Sequence, residues 1–199
     1  MEDADRVVGL YERHALAFDR IRGRDLFEKH WLDRFTATLP AGSTVLDIGC
    51  GSGEPMAAEL ITRGYRLTGV DSSATLIGLC RARFPEHGWH VGDMRRLALD
   101  ARFDALLAWH SFFHLTGEEQ RAMFARFAAH AADGAMLMFT SGPAEGEAIG
   151  TFEGEPLYHA SLAPDDYQRL LEGHGFELLA LISEDPACGG ATVWLARRA

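Results

Sequence analysis

The 199-residue sequence contains little cysteine, and its three cysteines, Cys50, Cys80 and Cys188, follow no C-x-x-C spacing. An odd number of cysteines without that spacing argues against a disulfide framework and against a zinc site. The sequence also contains no run of about 18 consecutive apolar residues, and it does not begin with a basic and apolar leader. We therefore expect a cytoplasmic protein that neither spans a membrane nor binds a metal.

Runs of lysine and arginine are also absent. The 29 acidic residues outnumber the 19 basic ones, for a formal net charge of -10. A nucleic-acid backbone would be repelled at long range and would find no basic stripe to follow. We expect no nucleic-acid partner and instead a small-molecule one, with the protein acting as a monomer or a homodimer.

Apolar residues recur at three- and four-residue steps through residues 4–38. This pattern predicts two amphipathic helices separated near Gly23. We interpret residues 1–40 as an N-terminal helical cap segment and residues 41–199 as the main domain, together forming a single structural domain.

Beyond the cap segment, short apolar runs alternate with helical patterns. The strand-like runs are residues 44–48, 66–70, 89–91, 103–109 and 135–140. Such alternation predicts an α/β fold, a doubly wound Rossmann-like sheet of parallel strands with helices on both faces. Two further runs, residues 176–183 and 191–196, have no helix between them and predict a closing hairpin.

A glycine-rich turn follows the first predicted strand directly: residues 47–53 are DIGCGSG. Glycines at such a turn let the backbone approach a ligand closely. The spacing differs from the G-x-G-x-x-G of dinucleotide-binding domains, and Asp47 before the first glycine would oppose a pyrophosphate. A carboxylate suits a cation, so the turn favours a ligand with an amino group and a sulfonium in place of phosphates.

Two more acidic residues stand at predicted strand ends. Asp71 lies about 20 residues beyond the turn, where a carboxylate can accept the hydrogen bonds of a ribose diol. Asp93 and Met94 follow the third strand and offer a carboxylate and a soft side chain for an adenine ring. The sequence leaves other roles open, because Asp71 could cap the next helix and Asp93 could pair with an arginine.

The segments VLDIGCGSG, GVDSS, GDMRRL and FDALLAWHSFFHL follow one another as in the class I S-adenosylmethionine-dependent methyltransferases, which the sequence resembles over roughly residues 43–199. The resemblance implies a seven-stranded sheet of order 3-2-1-4-5-7-6 whose last strand is antiparallel. It also implies S-adenosyl-L-methionine as cofactor, with S-adenosyl-L-homocysteine as product and no metal. The implied cofactor residues are Asp47, Gly49, Cys50, Gly51, Gly53, Asp71, Ser72, Asp93, Met94, Trp109 and Tyr11.

Two histidines, His110 and His114, lie just past the end of the fourth strand, where ligands collect in open α/β sheets. Methyl transfer by in-line displacement needs alignment of the reactants, and it needs a general base only when the acceptor loses a proton. We predict His110 as the catalytic residue and His114 as a second candidate that could instead be structural.

Aromatic and imidazole side chains nearby are candidates for the acceptor pocket. We place Phe112 and Phe113 there, together with Tyr158 and His159 from the long segment 141–163, which is either a lid or a solvated connection.

The predicted function is transfer of a methyl group to a small-molecule oxygen or nitrogen acceptor. The alternative is a protein of the same fold that binds S-adenosylmethionine or S-adenosylhomocysteine without transferase activity. Asp47 and the glycine spacing disfavour a nicotinamide dehydrogenase. Nucleic-acid methylation would call for an Asn/Asp-Pro-Pro-aromatic motif at strand four, where this sequence has AWHS.

Overall fold

The computed structural model describes residues 2–199, with side chains from Ala4 onward. The helices are α1 (Glu2–Arg13), α2 (Ala15–Ile21), α3 (Lys29–Thr36), α4 (Met56–Thr62), α5 (Ala74–Arg83), α6 (Gly117–His130) and α7 (Pro164–Gly173). The strands are β1 (Thr44–Ile48), β2 (Arg66–Asp71), β3 (Gly88–Val91), β4 (Phe103–Ala108), β5 (Ala131–Ser141), β6 (Gly146–Phe152), β7 (Glu155–Ser161), β8 (Phe176–Asp185) and β9 (Ala191–Arg198). None of the helices in residues 2–199 is both long and apolar enough to cross a membrane.

Seven of the strands form one sheet in the order β3-β2-β1-β4-β5-β9-β8. Strands β1 to β5 are parallel to one another, whereas β9 runs antiparallel to both β5 and β8. The predicted fold class and strand order are confirmed: β8 and β9 are the predicted sixth and seventh strands, renumbered because the separate pair β6–β7 precedes them. The carboxyl ends of β1 to β4 therefore meet at one edge, which is where such sheets bind ligands.

Successive residues of the central strands point to two separate apolar cores, as the pleat of a strand requires. Leu46 and Leu106 face a core that α6 and α7 cover, whereas Val45 and Leu107 face a core that α3, α4 and α5 cover. Burial on both faces explains why these strands are apolar almost throughout their length.

The N-terminal segment differs from its prediction, because three helices replace the expected two. The chain breaks between α1 and α2 at His14, whose imidazole Nε2 lies 2.6 Å from Glu155 Oε1 of β7. It leaves the helical conformation again at Arg22, before the predicted break at Gly23. The additional break therefore accompanies a contact with a distant part of the chain.

Segment 141–163 is not an irregular loop. It forms the two-stranded hairpin β6–β7, closed by Glu153 and Gly154, which both have positive φ. Two consecutive residues of positive φ match the turn that two-residue hairpins favour. Strand β7 packs against α1 through an apolar cluster that includes Val7 and Ala160, while β6 is largely exposed.

Candidate functional site

A cavity of about 280 Å³ opens where the carboxyl ends of β1 to β4 meet, beneath α1 and α2. It brings together most of the residues that the sequence predicts for the site. The predicted residues along its wall are Tyr11, Asp47, Gly49, Cys50, Gly51, Gly53, Asp71, Ser72, Asp93, Met94, Trp109, His110, Phe113, His114 and His159. The cavity therefore contains the glycine turn, the three acids and both candidate catalytic histidines.

The glycine turn is shaped by close contact between the ends of β1 and β4. Gly49 has φ +78, and a Cβ added there would lie 2.2 Å from Cβ of Ser111, so no larger residue fits. The Ser111 hydroxyl in turn donates a hydrogen bond of 2.7 Å to the carbonyl oxygen of Ile48. Ser111 thus supports the turn, a role that no local pattern in the sequence indicated.

Asp47 is a buried acid of the cavity whose pKa is strongly raised. Its side chain is only 3% exposed, and burial, with the negative charge of Asp71 added, raises its pKa to about 7. The positive charge of Arg22 acts in the opposite direction. A cation placed against Asp47 would favour the carboxylate form, so the environment suits a positively charged ligand group.

Asp71 connects the glycine turn to the start of α5. Its Oδ2 accepts a hydrogen bond of 2.9 Å from the amide of Gly51, and its Oδ1 accepts one of 2.9 Å from the amide of Ser73. The N-cap of α5 is Ser73 itself, whose hydroxyl accepts from the amide of Leu76. Each carboxylate oxygen of Asp71 has a second lone pair, which leaves acceptor capacity toward the cavity.

Asp93 lines the cavity and also pairs with an arginine, the alternative that the sequence left open. Arg95 donates to it through its backbone amide and its guanidinium, with the closest contact 2.7 Å from Nη2 to Oδ2. Although burial acts to raise the pKa of Asp93, these hydrogen bonds hold it below the ordinary value. Both carboxylate oxygens of Asp93 therefore accept hydrogen bonds from Arg95.

His114 links helix α1 to the hairpin. Its Nδ1 lies 2.8 Å from the carbonyl oxygen of Tyr158, and its Nε2 lies 3.0 Å from the hydroxyl of Tyr11. A carbonyl only accepts, so Nδ1 carries the proton and Nε2 accepts from Tyr11. Burial lowers the pKa of His114 to about 4 and raises that of Tyr11 to about 12, so both remain neutral. Both nitrogens of His114 are thus occupied, which favours its structural role.

His110 lines the cavity, and its surface is exposed. Its backbone has φ 48, and its amide donates a hydrogen bond of 2.9 Å to the hydroxyl of Thr140. Loss of solvation within the cavity, and then the charge of Arg22, lower the pKa of His110 to about 4. The ring is therefore neutral at physiological pH, and one of its nitrogens can accept a hydrogen bond.

Two residues predicted for the acceptor pocket lie elsewhere. Phe112 is fully buried among Phe124, Phe127 and Phe139, because the 3₁₀ turn after β4 directs it into the core while Phe113 faces the cavity. The side chain of Tyr158 packs in the apolar cluster beneath α1, since neighbouring residues of β7 point to opposite faces. The predictions for Phe112 and Tyr158 are therefore wrong, whereas His159 does line the cavity.

Phe18 and Arg22 are among the cavity residues that the sequence did not predict. Phe18 of α2 lies over the glycine turn, 3.1 Å from where a Cβ on Gly51 would be. Arg22, at the end of α2, lines the wall and donates to Glu28 at 3.1 Å. The apolar stripe of the N-terminal segment could have indicated Phe18, but nothing in the local sequence distinguishes Arg22 from a solvated arginine.

Metal ligands are not grouped in the part of the chain that the structure describes: no three histidine, cysteine, aspartate or glutamate side chains there could hold an ion.

A family model described as Methyltransferase domain matches residues 45–134. A relative from Streptomyces fradiae, dTDP-3-amino-3,6-dideoxy-alpha-D-glucopyranose N,N-dimethyltransferase, is 36% identical over 93 residues, which cover 46% of this chain and 36% of that protein. The curated relatives matched first are covered over less than two thirds of their length, between 36% and 60%.

Solved structures share the fold over nearly the whole chain. An amino pentose methyltransferase from Micromonospora echinaspora, solved with S-adenosylmethionine, superposes with a TM-score of 0.72 at 21% identity and covers 94% of this chain and 96% of that one. The glycopeptide N-methyltransferase MtfA, solved with S-adenosylhomocysteine, gives 0.71 at 20% identity, with 89% and 91% covered. At these identities the likeness establishes the fold alone.

Proposed function

We propose that this chain is a class I S-adenosylmethionine-dependent methyltransferase and that it transfers a methyl group from S-adenosylmethionine to a small-molecule acceptor. One observation carries the proposal: acids from the ends of three neighbouring strands, Asp47, Asp71 and Asp93, line the same cavity as the glycine turn. A phosphate-bearing cofactor would be repelled by these acids, whereas a cationic nucleoside would not.

The cavity walls suit the parts of that cofactor. Asp47, buried and acidic, suits its cationic methionine end, and Arg22 on the same wall suits its carboxylate. Asp71 retains acceptor capacity for a ribose diol, and Asp93 with Met94 is suited to the adenine. In these assignments one end of the cavity binds the charged methionine part of the cofactor and the other end binds its nucleoside.

When bound, S-adenosylmethionine supplies an electrophilic methyl group, and the chain's task is to align the acceptor and exclude water. The neutral imidazole of His110 can accept a hydrogen bond from an acceptor N–H or O–H and so turn its lone pair toward the methyl group. Phe113 and His159 form the adjoining wall. We further propose that residues 1–40, whose helices α1 and α2 roof the cavity, act as a cap within a single structural domain.

For the acceptor atom we propose nitrogen. The Streptomyces fradiae relative is named for N,N-dimethylation of an amino sugar, and MtfA is named as an N-methyltransferase. An amine is a good nucleophile only when neutral, and a wall with uncharged imidazoles does not hold it as an ammonium ion by ion pairing. The neutral state of His110 is consistent with such an acceptor.

The proposal is tested first by titrating S-adenosylhomocysteine into the protein in a calorimeter. We expect saturable binding at one site, and its absence would overturn the cofactor assignment. The protein is then incubated with methyl-labelled S-adenosylmethionine and a panel of amino sugars, aromatic amines, phenols and carboxylates. Label in the amines supports the nitrogen acceptor, and label only in phenols or carboxylates contradicts it.

The role of His110 is tested with His110→Gln against the matched variant His174→Gln, which alters a half-buried histidine at the end of α7. We expect His110→Gln to lower kcat while cofactor binding persists, because the ring orients the acceptor. His174→Gln should leave kcat unchanged. Cofactor binding with no turnover across the panel would instead favour the alternative of a binding protein without transferase activity.

A further inference from the structure

Glu28 is a fully buried acid with an incomplete set of hydrogen bonds. Its side chain is 0% exposed, and its Oε1 accepts a hydrogen bond of 3.1 Å from Nη2 of Arg22. Its Oε2 has no hydrogen-bond partner among the residues that the structure describes. Glutamate is rarely buried completely, and burying a carboxylate with one oxygen unmatched is unfavourable. Stability alone therefore does not explain this residue.

A role in ending or starting a helix does not explain Glu28 either. It stands at the N-cap position of α3, but with helical φ and ψ and without a side-chain hydrogen bond to that helix. The one side-chain hydrogen bond of Glu28 in the described structure instead runs back six residues to Arg22, across the link between α2 and α3. The side chain thus serves Arg22 and not its own helix.

Arg22 can pair with either of two buried acids, Glu28 or Asp47. It lines the cavity, and its positive charge lowers the pKa of both Asp47 and His110. Left free, a guanidinium near a buried carboxylate would move to pair with it. The ion pair of Arg22 is nevertheless formed with Glu28. Glu28 therefore keeps the positive Arg22 and the negative Asp47 separate across the cavity wall.

We propose that Glu28 is a positioning residue: it holds the guanidinium of Arg22 so that its remaining N–H groups receive the carboxylate of the ligand, while Asp47 stays available for the ligand's cationic group. An arginine has five N–H donors, of which the contact with Glu28 uses one. Arg22 and Asp47 thereby bind the carboxylate and the ammonium group of the ligand at two separate positions. This inference rests on the proposed function, since it takes the cofactor as the ligand.

The test compares two ligands that differ only in the group Arg22 would bind. S-adenosylhomocysteine carries the carboxylate, and its decarboxylated analogue keeps the amino group, sulfur and nucleoside. Calorimetry should show that Glu28→Gln weakens S-adenosylhomocysteine about tenfold, the size expected for a misplaced charged hydrogen bond. The analogue should bind to wild type and Glu28→Gln within about twofold of each other. Equal loss for both ligands would overturn the positioning role.

A double variant adds an independent readout. If Glu28 acts through Arg22, then Arg22→Gln with Glu28→Gln binds S-adenosylhomocysteine no more weakly than Arg22→Gln alone, because the two residues act as one unit. Losses that add in full would contradict the proposal. Should Glu28→Gln fail to fold, Glu28→Asp keeps the charge on a shorter side chain, draws Arg22 back from the wall and should show the same selectivity for the ligand with the carboxylate.

Asp185→Asn is the matched control. Asp185 is also a buried acid, but it accepts hydrogen bonds from Trp31 and His30 of α3. Asp185→Asn should lower stability without changing the ratio of the two ligand affinities, and a changed ratio would make the effect of Glu28→Gln non-specific. Failure of the wild type to bind S-adenosylhomocysteine at all would instead overturn the proposed function.

Discussion

Replacing Asp47 with asparagine should stabilise the cofactor-free protein while it abolishes cofactor binding. Asp47 is 3% exposed at the end of β1, and burial together with the charge of Asp71 raises its pKa from 3.8 to about 7. Above that pH the folded protein must hold a buried carboxylate that is fully solvated in the unfolded chain. An asparagine of the same shape carries no charge to bury.

The magnitude follows from the pKa. The difference between 3.8 and about 7, at about 1.4 kcal/mol per pH unit, corresponds to roughly 4 kcal/mol of destabilisation at neutral pH. Asparagine is itself polar and buried, so we expect Asp47→Asn to recover about half, roughly 2 kcal/mol. For a chain of this length that is a rise in Tm of about 4 to 8 °C.

The pH dependence provides an internal control. Between the two pKa values the folded state binds more protons than the unfolded state, so this contribution lowers stability as pH rises from about 4 to about 7. The variant lacks the contribution. The difference in Tm between Asp47→Asn and wild type should therefore be small near pH 4, grow up to about pH 7 and then level off.

Thermal unfolding followed by circular dichroism at several pH values measures this difference. The same two proteins are titrated with S-adenosylhomocysteine, for which wild-type affinity should fall below about pH 7, because Asp47 must lose its proton to face the ligand's ammonium group. An unchanged or lower Tm for Asp47→Asn at about pH 8 would refute the argument that Asp47 is a destabilising acid kept for its ligand.

Three further changes test other parts of the site. Asp71→Ala should abolish S-adenosylhomocysteine binding in a calorimeter, and unchanged binding would contradict the ribose assignment. Gly49→Ala should destabilise the protein by about 2 kcal/mol or more in urea unfolding, because a Cβ there meets Ser111 at 2.2 Å in a backbone of positive φ; an unaffected midpoint would contradict this. Tyr11→Phe should cost about 1 kcal/mol by losing the hydrogen bond to His114, and should speed S-adenosylhomocysteine release in stopped-flow fluorescence if α1 is the cap; unaltered release would speak against that role.

The sheet was predictable because each of its signals is local. A strand such as β4 is buried on both faces, so its sequence is apolar after Asp104, and the helix-free link between β8 and β9 marks the antiparallel end. The hairpin β6–β7 was missed for a local reason as well. Its turn residues, Glu153 and Gly154, are not the usual Asn-Gly pair, and the glycines of β6 obscure its alternation.

In the site, too, the positions of some residues follow from sequence spacing, whereas the positions of others depend on tertiary contacts. The acids at the strand ends were identifiable because parallel strands carry their carboxyl ends to one edge, whatever the loops do. The inward turn of Phe112 depends on the packing of Phe124 and Phe139, and so was predicted wrongly from its neighbours in sequence.

The contacts of α1 and α2 show why the acids of these helices could not be interpreted from the sequence. Asp5 pairs with Arg95, Glu12 accepts from Ser73 and Thr75, and Asp19 pairs with Arg83. Each partner lies 60 residues or more away in sequence from its acid. In sequence these acids have the spacing of a solvated helix face. Their side chains instead join α1 and α2 to α5 and to the 3₁₀ turn after β3, contacts that only the folded chain brings together.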